Sequence, residues 1–487
     1  MTTLHDLAGL VEGSRLVGNC AVSDLTHDSR QVRPGWLYCA LRGRRDGHDF
    51  AAEAVANGAA GLVVERELPL PVPQLVVPSA RRAVGTLAAE VHGRPSSLLS
   101  VVGITGTNGK TTTAHLLDAV LSQTGVSSAL IGTIETRVGL SHTPSMLTTP
   151  QAPDLQRLLA ESVAADAAVA VMEVSSHGLD QYRVEGTRFE LGLFLNLSAE
   201  HLDYHGTIEQ YYSSKATLFE PSRTGRAIVC VDDEWGRRLA AQACIPVLTF
   251  GAHGSADVEV ELVATGLDGT SVRLRRAGLS AELYAPVTGA CNAQNIAAAF
   301  LAATELGVAP DQAEKALAGA PPVPGRFELV DEGQPFLVAV DYAHTPDALA
   351  ERVATARGLT GPAGRVRVVL GARGGRDRIK RQDLGRAAAL ADEVYLTTDS
   401  AGHEQATHII EEVRLGLLGT PAARLHSNPD RARSIRDALA ASSAGDVVLI
   451  TGRGHEGHQL VGDRLVTLDD RQVARRALRR QGGHAPA

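Results

Sequence analysis

Along this chain, short runs of aliphatic and β-branched residues lead into glycine-rich or polar turns, and then into stretches with apolar residues at helical spacing. Continuous apolar runs predict strands buried in a parallel sheet, and their alternation with helices predicts an α/β fold. Strands are expected at 36–41, 60–64, 101–105, 127–133, 171–174, 191–197, 226–231, 366–370 and 393–396, and others open at Val338 and Asp446. Helices are expected at 51–58, 110–125, 208–219 and 407–417, and a long alanine-rich one opens near Gly289. Residues 250–279 read as strand-rich, and the tail from Gln481 as mobile.

A chain of 487 residues is too long for one core; at about 150 residues per domain it divides into about three. We place an α/β domain at 1–99, a central P-loop ATPase-like domain at 100–322 and a Rossmann-like domain at 323–487. Pro321, Pro322 and Pro324 interrupt the helical pattern between the last two. The net charge of -8 and the lack of an extended basic surface argue against a nucleic-acid partner. No long uncharged apolar segment predicts membrane insertion, and a soluble, cytoplasmic, monomeric protein is expected. Cys20, Cys39, Cys230, Cys244 and Cys291 form no C-x-x-C pair and read as buried, reduced thiols.

The chemistry gathers at strand ends. After the run to Thr105 comes Gly106, Thr107, Asn108, Gly109, Lys110, Thr111 and Thr112. Glycines let backbone N–H groups approach phosphate oxygens, Lys110 supplies a point charge, and a threonine hydroxyl is available to Mg²⁺. Glu173, Ser175, Ser176 and His177 close a buried strand, where open α/β sheets place ligands, and Glu173 reads as a magnesium ligand. The polar run Glu200 to His205 follows another strand, and such groups are costly to leave unpaired. Asn292 is either a helix cap or, with Asn295, a reader of an adenine edge. The glycine and arginine turn from Gly371 suits an anion. Lys215, by residue type alone, is a solvated helix residue.

Together these motifs resemble the Mur ligase family along essentially the whole chain, and within it the branch that adds the third residue to UDP-N-acetylmuramoyl-L-alanyl-D-glutamate. The resemblance implies an ATP-dependent, Mg²⁺-requiring ligase that works through an acyl phosphate, with that nucleotide-linked dipeptide and a free amino acid as partners. It implies that Ser29 contacts the uridine diphosphate and that Gly106 to Thr112 form the ATP loop. Asn292, Asn295, Arg326 and Asp341 fall on the nucleotide side. Thr148, Thr149, Ser175 and Arg183 would hold the nucleotide-linked peptide, and His344, Arg376, Asp399, Ser400, Gly452 and Glu456 the substrates at the third domain. Thr111, Glu173, His201 and Lys215 would surround the metal, with Lys215 carbamylated, and Lys110, Glu173, His201 and Lys215 would carry catalysis.

One departure stands out. Relatives that add meso-diaminopimelate carry Asp-Asn-Pro-Arg where this chain has Asp399, Ser400, Ala401 and Gly402. A missing guanidinium removes bidentate recognition of a carboxylate. The expectation is therefore an acceptor other than meso-diaminopimelate, with Glu456 favouring lysine or ornithine; the alternative is a ligase recruited to specialised metabolism.

Overall fold

The computed structural model describes residues 2–43, 45–252, 254, 256–276, 279–375, 378–420 and 424–482. Arg376 and most of the tail expected to be mobile, residues 483–487, lie outside them. The polypeptide is a three-part α/β molecule with sheets of five, eleven and six strands, plus a separate two-stranded hairpin. The first sheet pairs Asp24–Thr26, Trp36–Cys39, Gly61–Val64 and Gln74–Val76 in parallel and adds Arg15–Val17 antiparallel.

The second sheet positions the site. Its strand Ser100–Thr105 lies between Val169–Glu173 and Phe189–Phe194, both parallel to it, so three chain reversals open at one carboxyl edge. Helix Lys110–Gln123 starts directly after the glycine loop. Its apolar side, with Leu116, Leu117 and Val120, packs with Val102, Ile104 and the alanine-rich helix Asn292–Glu305 in one core. Small alanine side chains allow that second helix to approach closely, which fixes the loop between two rigid elements. The third sheet runs Leu337–Val340, Val447–Ile450, Val366–Ala372, Glu393–Thr398 and Arg424–Ser427, all parallel, behind a short antiparallel edge strand Glu328–Leu329.

Several expected boundaries shift for identifiable reasons. The strand expected to reach Leu197 ends at Phe194. Beyond it, Asn196 turns to the glycine loop: its carbonyl accepts from Thr107 N at 2.9 Å, and its Oδ1 from Asn108 N at 2.9 Å. The alanine-rich helix begins at Asn292 itself, so Asn292 is no cap; its Nδ2 donates to the Thr288 carbonyl at 2.9 Å. Not every thiol is buried either, since Cys244 is exposed beyond helix Glu234–Gln242.

The three parts are tied side by side. Arg157 reaches from the second part to Asp24 of the first at 2.9 Å, and Arg82 donates to Tyr182 at 2.7 Å. From the third part, Arg326 donates to Thr111 at 2.8 Å and Lys380 to Glu200 at 2.7 Å. No helix among the described residues is long and apolar enough to cross a membrane.

Candidate active site

A cleft of about 970 Å³ lies where the carboxyl edge of the central sheet faces the third sheet. Thr107 to Thr112 of the loop, Thr148, Glu173, Ser175, Arg183, His201 and Asn295 line its central side, and Arg326, Asp341, His344 and Asp399 its other side. The sequence had placed these residues in separate motifs; the fold brings them to one space.

The loop is a phosphate cradle by construction. Gly106 and Gly109 have φ of +151° and +88°, a region closed to most side chains, and a Cβ on Gly109 would overlap the Asn295 side-chain oxygen. Asn295 in turn donates to Asn292 at 2.9 Å and accepts from Thr113 at 3.3 Å. The two amides therefore hold each other and the loop; Asn295 lines the cleft, and Asn292 sits buried behind it.

Lys110 points its Nζ at the carbonyls of Gly106 and Thr107, at 2.7 and 2.9 Å. Burial lowers its pKa to about 8, partly opposed by Glu173. Lys215, on helix Ile208–Ala216, is 1% exposed and shares the Gly106 carbonyl at 2.9 Å. The solvated-helix reading of Lys215 thus fails, because its helix face also carries Tyr211, whose ring lies 4.7 Å from Nζ. Burial, reinforced by the charge on Lys110, pushes the Lys215 amine well below the ordinary lysine range.

Glu173 lies at the end of its strand, buried, and accepts from Thr133 N at 2.7 Å, Thr133 Oγ1 at 2.9 Å and Thr111 Oγ1 at 2.9 Å. A carboxylate held against the first-turn threonine of a phosphate loop is an oxygen donor set that fits Mg²⁺. Beside it, Thr149 Oγ1 accepts from Ser175 N and donates to the Glu173 carbonyl, each at 2.9 Å, while Arg183 donates to the Thr149 carbonyl at 2.9 Å. Thr148 accepts from Thr133 at 3.1 Å. Thr148, Ser175 and Arg183 thus face the cleft, while Thr149 is buried behind them and holds Ser175 and Arg183 in place.

His201 has a φ of +57° and packs its ring edge-on against His177, 4.7 Å between centroids. Burial and surrounding cations hold it far below the usual histidine range, leaving a neutral imidazole. Glu200 next to it pairs with Lys380 at 2.7 Å and with His344 at 3.8 Å. Asp341 receives Phe327 N and Ala343 N, both at 2.7 Å, and Arg352 at 3.3 Å, so it fixes the backbone on either side of its turn.

Ser29 is not brought to the cleft; it is buried in the first part, donating to Glu53 at 2.7 Å. Ser400 accepts from Leu460 N at 3.1 Å, and Gly452, with φ of +102°, approaches Asp399. Glu456 pairs with Arg373. Among the described residues no group of three or more His, Cys, Asp and Glu side chains is arranged to hold a metal. A magnesium site here would thus rest on Glu173 with the Thr111 hydroxyl, and on Lys215 only as a carbamate. Sequence reasoning missed Thr133 and Arg352. Thr133 had a signal, as it ends an apolar run; Arg352 sits mid-helix and had none.

Fold and cleft together define a class: an ATP-dependent ligase that forms amide bonds, with a phosphate loop in a central domain facing a Rossmann-like domain. The chain belongs to the Mur ligase family. The "Mur ligase family, catalytic domain" matches residues 21–92, the "Mur ligase middle domain" 104–303 and the "Mur ligase, glutamate ligase domain" 325–454. The UDP-N-acetylmuramoyl-L-alanyl-D-glutamate–2,6-diaminopimelate ligase of Streptomyces coelicolor is 41% identical over 495 residues, covering 99% of this chain and 97% of its own. The enzyme of the same name from Geobacillus kaustophilus is 39% identical over 474 residues, with 96% of each chain covered. A solved structure of a ligase with that name superposes with a TM-score of 0.67 at 30% identity, covering 95% of both chains.

These relatives overturn the expectation of an acceptor other than meso-diaminopimelate, and with it the reading as a ligase recruited elsewhere. The expectation rested on the guanidinium missing at Gly402. Arg453 approaches Asp399 at 3.2 Å and Arg373 pairs with Glu456, so guanidinium groups are present there from other positions.

Proposed function

We propose that this chain joins 2,6-diaminopimelate to UDP-N-acetylmuramoyl-L-alanyl-D-glutamate, with ATP as the energy source and Mg²⁺ as cofactor. The names of relatives aligned over almost the full chain support the acceptor. The observation that carries the chemistry is the convergence of Lys110, Thr111, Glu173 and Lys215 around one phosphate loop.

A peptide carboxylate is a poor electrophile, so the γ-phosphoryl group of ATP is first transferred to it, giving an acyl phosphate and ADP. The amine then attacks the acyl carbon and inorganic phosphate leaves. Loop N–H groups and the Lys110 ammonium neutralise phosphate charge, which is mostly electrostatic work in a preorganised site. Thr148, Ser175 and Arg183, backed by the buried Thr149, hold the peptide carboxylate in line, and the neutral His201 offers a hydrogen bond to the transferred group. Thr111, Glu173 and the carbamylated Lys215, with His201 alongside, would hold magnesium, which supplies charge neutralisation and orientation of the phosphoryl oxygens.

Carbamylation fits the surroundings of Lys215. An amine with a depressed pKa is neutral at ordinary pH, so its lone pair attacks CO₂, an N–C bond forms and a proton leaves to solvent. The resulting anion is compensated by Lys110. Arg326 and Lys380 bind the third part to the central one, and such closure would keep out the water that hydrolyses an acyl phosphate. The uridine end is assigned to the first domain near Ser29. The charged, soluble substrates support a cytoplasmic setting, and a monomer remains the proposed state.

The test is product mass from ATP, magnesium and the nucleotide-linked dipeptide, with diaminopimelate, lysine and ornithine offered separately. One tripeptide product with diaminopimelate, matched by ADP and phosphate, is expected. Failure with diaminopimelate while another amine is ligated overturns the proposal.

A further inference from the structure

The second end of diaminopimelate is an ammonium and a carboxylate on one carbon, and such an end needs a fixed cation and a fixed anion side by side. Among the described residues three guanidinium groups lie around Asp399 and Glu456, with Arg453 also 3.8 Å from Glu456, and their exposure separates them. Arg453 is fully buried and spends its fork on Asp399, on the His458 carbonyl at 2.6 Å and on the Leu468 carbonyl at 3.2 Å. Arg431 is equally buried and paired with Asp470 at 2.6 Å. Only Arg373 of the three lines the cleft, its side chain 29% exposed, with its guanidinium on Glu456 and 3.7 Å from Asp399.

We propose that Arg373 is the specificity-determining residue that binds the distal carboxylate of diaminopimelate, with Glu456 receiving the adjacent ammonium. This rests on diaminopimelate being the acceptor, as proposed above. The zwitterionic end replaces the Arg373–Glu456 pair by two pairs of the same kind, so binding leaves no buried charge uncompensated. Asp399 lies 3.7 Å from Arg373, beyond hydrogen-bond distance, and takes its hydrogen bond from Arg453 at 3.2 Å.

The turn that carries Arg373 is rigid, as a specificity residue requires. Gly374 N donates to the Ser400 carbonyl at 2.9 Å, and a Cβ at Gly374 would overlap the Ala401 backbone. Arg381, 1% exposed, donates from Nη2 to the Arg373 carbonyl at 2.9 Å while Glu404 and Glu412 both accept from its Nη1, at 2.8 and 2.5 Å. Burial raises the Glu456 carboxyl, and Arg373 opposes that rise, so the two groups are electrostatically matched before any ligand arrives.

Steady-state kinetics of the full chain test this. Arg373→Met should raise KM for diaminopimelate about 100-fold, the scale of losing a desolvated guanidinium–carboxylate pair, with KM for ATP and for the nucleotide-linked dipeptide within about threefold. Arg373→Lys should recover part of the loss, since it keeps the charge and loses the fork. Arg373→Met combined with Glu456→Gln removes both charges, leaves no unpaired carboxylate to unfold the pocket, and should still bind diaminopimelate poorly. A KM for diaminopimelate within about threefold of the parent in Arg373→Met and in the double variant, or a parallel rise for all three substrates, overturns the inference. A parent enzyme that does not ligate diaminopimelate at all overturns the proposed function, and this inference with it.

Discussion

Lys215→Ala is the substitution that best separates structure from chemistry. The side chain is buried among Tyr211, Thr105 and the Gly106 carbonyl, 3.4 Å from the Thr105 hydroxyl. Its methylenes beyond Cβ contribute about 2 kcal/mol of burial at about 0.8 kcal/mol each. Against this, an amine buried beside Lys110 is itself unfavourable, so the net loss of stability should stay at or below about 2 kcal/mol. Catalysis should suffer far more. With Lys215 carbamylated as proposed, losing that anion should forfeit about 4 kcal/mol of transition-state stabilisation, or about a thousandfold in rate.

The assay pairs product formation with denaturant unfolding, and adds NMR of the parent protein equilibrated with isotopically labelled bicarbonate to detect a lysine carbamate. A short carboxylic acid supplied in solution should restore part of the variant's activity by entering the space that truncation leaves. Activity above a tenth of the parent's, roughly 1.4 kcal/mol in barrier, would refute the reasoning, as would a fully active parent with no carbamate signal.

Glu173→Gln keeps the shape that accepts Thr133 and Thr111 but removes the charge; kcat should fall about a thousandfold, with ordinary magnesium concentrations no longer saturating, and an unchanged magnesium dependence would count against the assignment. At Asp24 burial raises the pKa, but hydrogen bonds from His92 and Arg157 outweigh it and hold the carboxyl at about 2 against an ordinary 3.8. The folded value being the lower, its contribution of about 2 kcal/mol is complete above pH 3.8 and lost as pH falls toward 2, so the stability gap to Asp24→Asn should close over that window; a gap independent of pH refutes it. Arg431→Met strands a fully buried Asp470 and should cost about 3–5 kcal/mol by denaturant unfolding, whereas adding Asp470→Leu should recover most of that; equal losses in both would deny the pair its role.

How much of this was legible in the sequence depended on whether the deciding neighbours were local. Strand-then-polar-turn patterns at 101–105, 171–174 and 366–370 placed the loop, Glu173 and the third-sheet edge correctly, because a buried parallel strand must be apolar throughout and its end must carry the chemistry. Lys215 misled when read as a type and not as a position. Ile208 and Tyr211 lie seven and four residues before it, on the same helical face, and Tyr211 is buried, so the period marked Lys215 as inward-facing. Asn292 stayed open between two readings, because a polar residue near a helix start allows both and only the backbone separates them.

The acceptor misreading had a different origin. Counting what was absent at Gly402 is a local operation, while the pocket is a meeting of two turns that lie far apart in the chain. The Gly374 to Ser400 hydrogen bond of 2.9 Å puts the Gly371 turn against the Asp399 turn. A guanidinium lost from one can therefore be offered by the other with the same carboxylates in reach. Taken separately, the arginine at 373 was read as part of an anion-binding turn and the glycine at 402 as a departure. Placed on adjoining turns they form one exchange, and the chemistry to be recognised, an ammonium beside a carboxylate, stays the same on both sides of it.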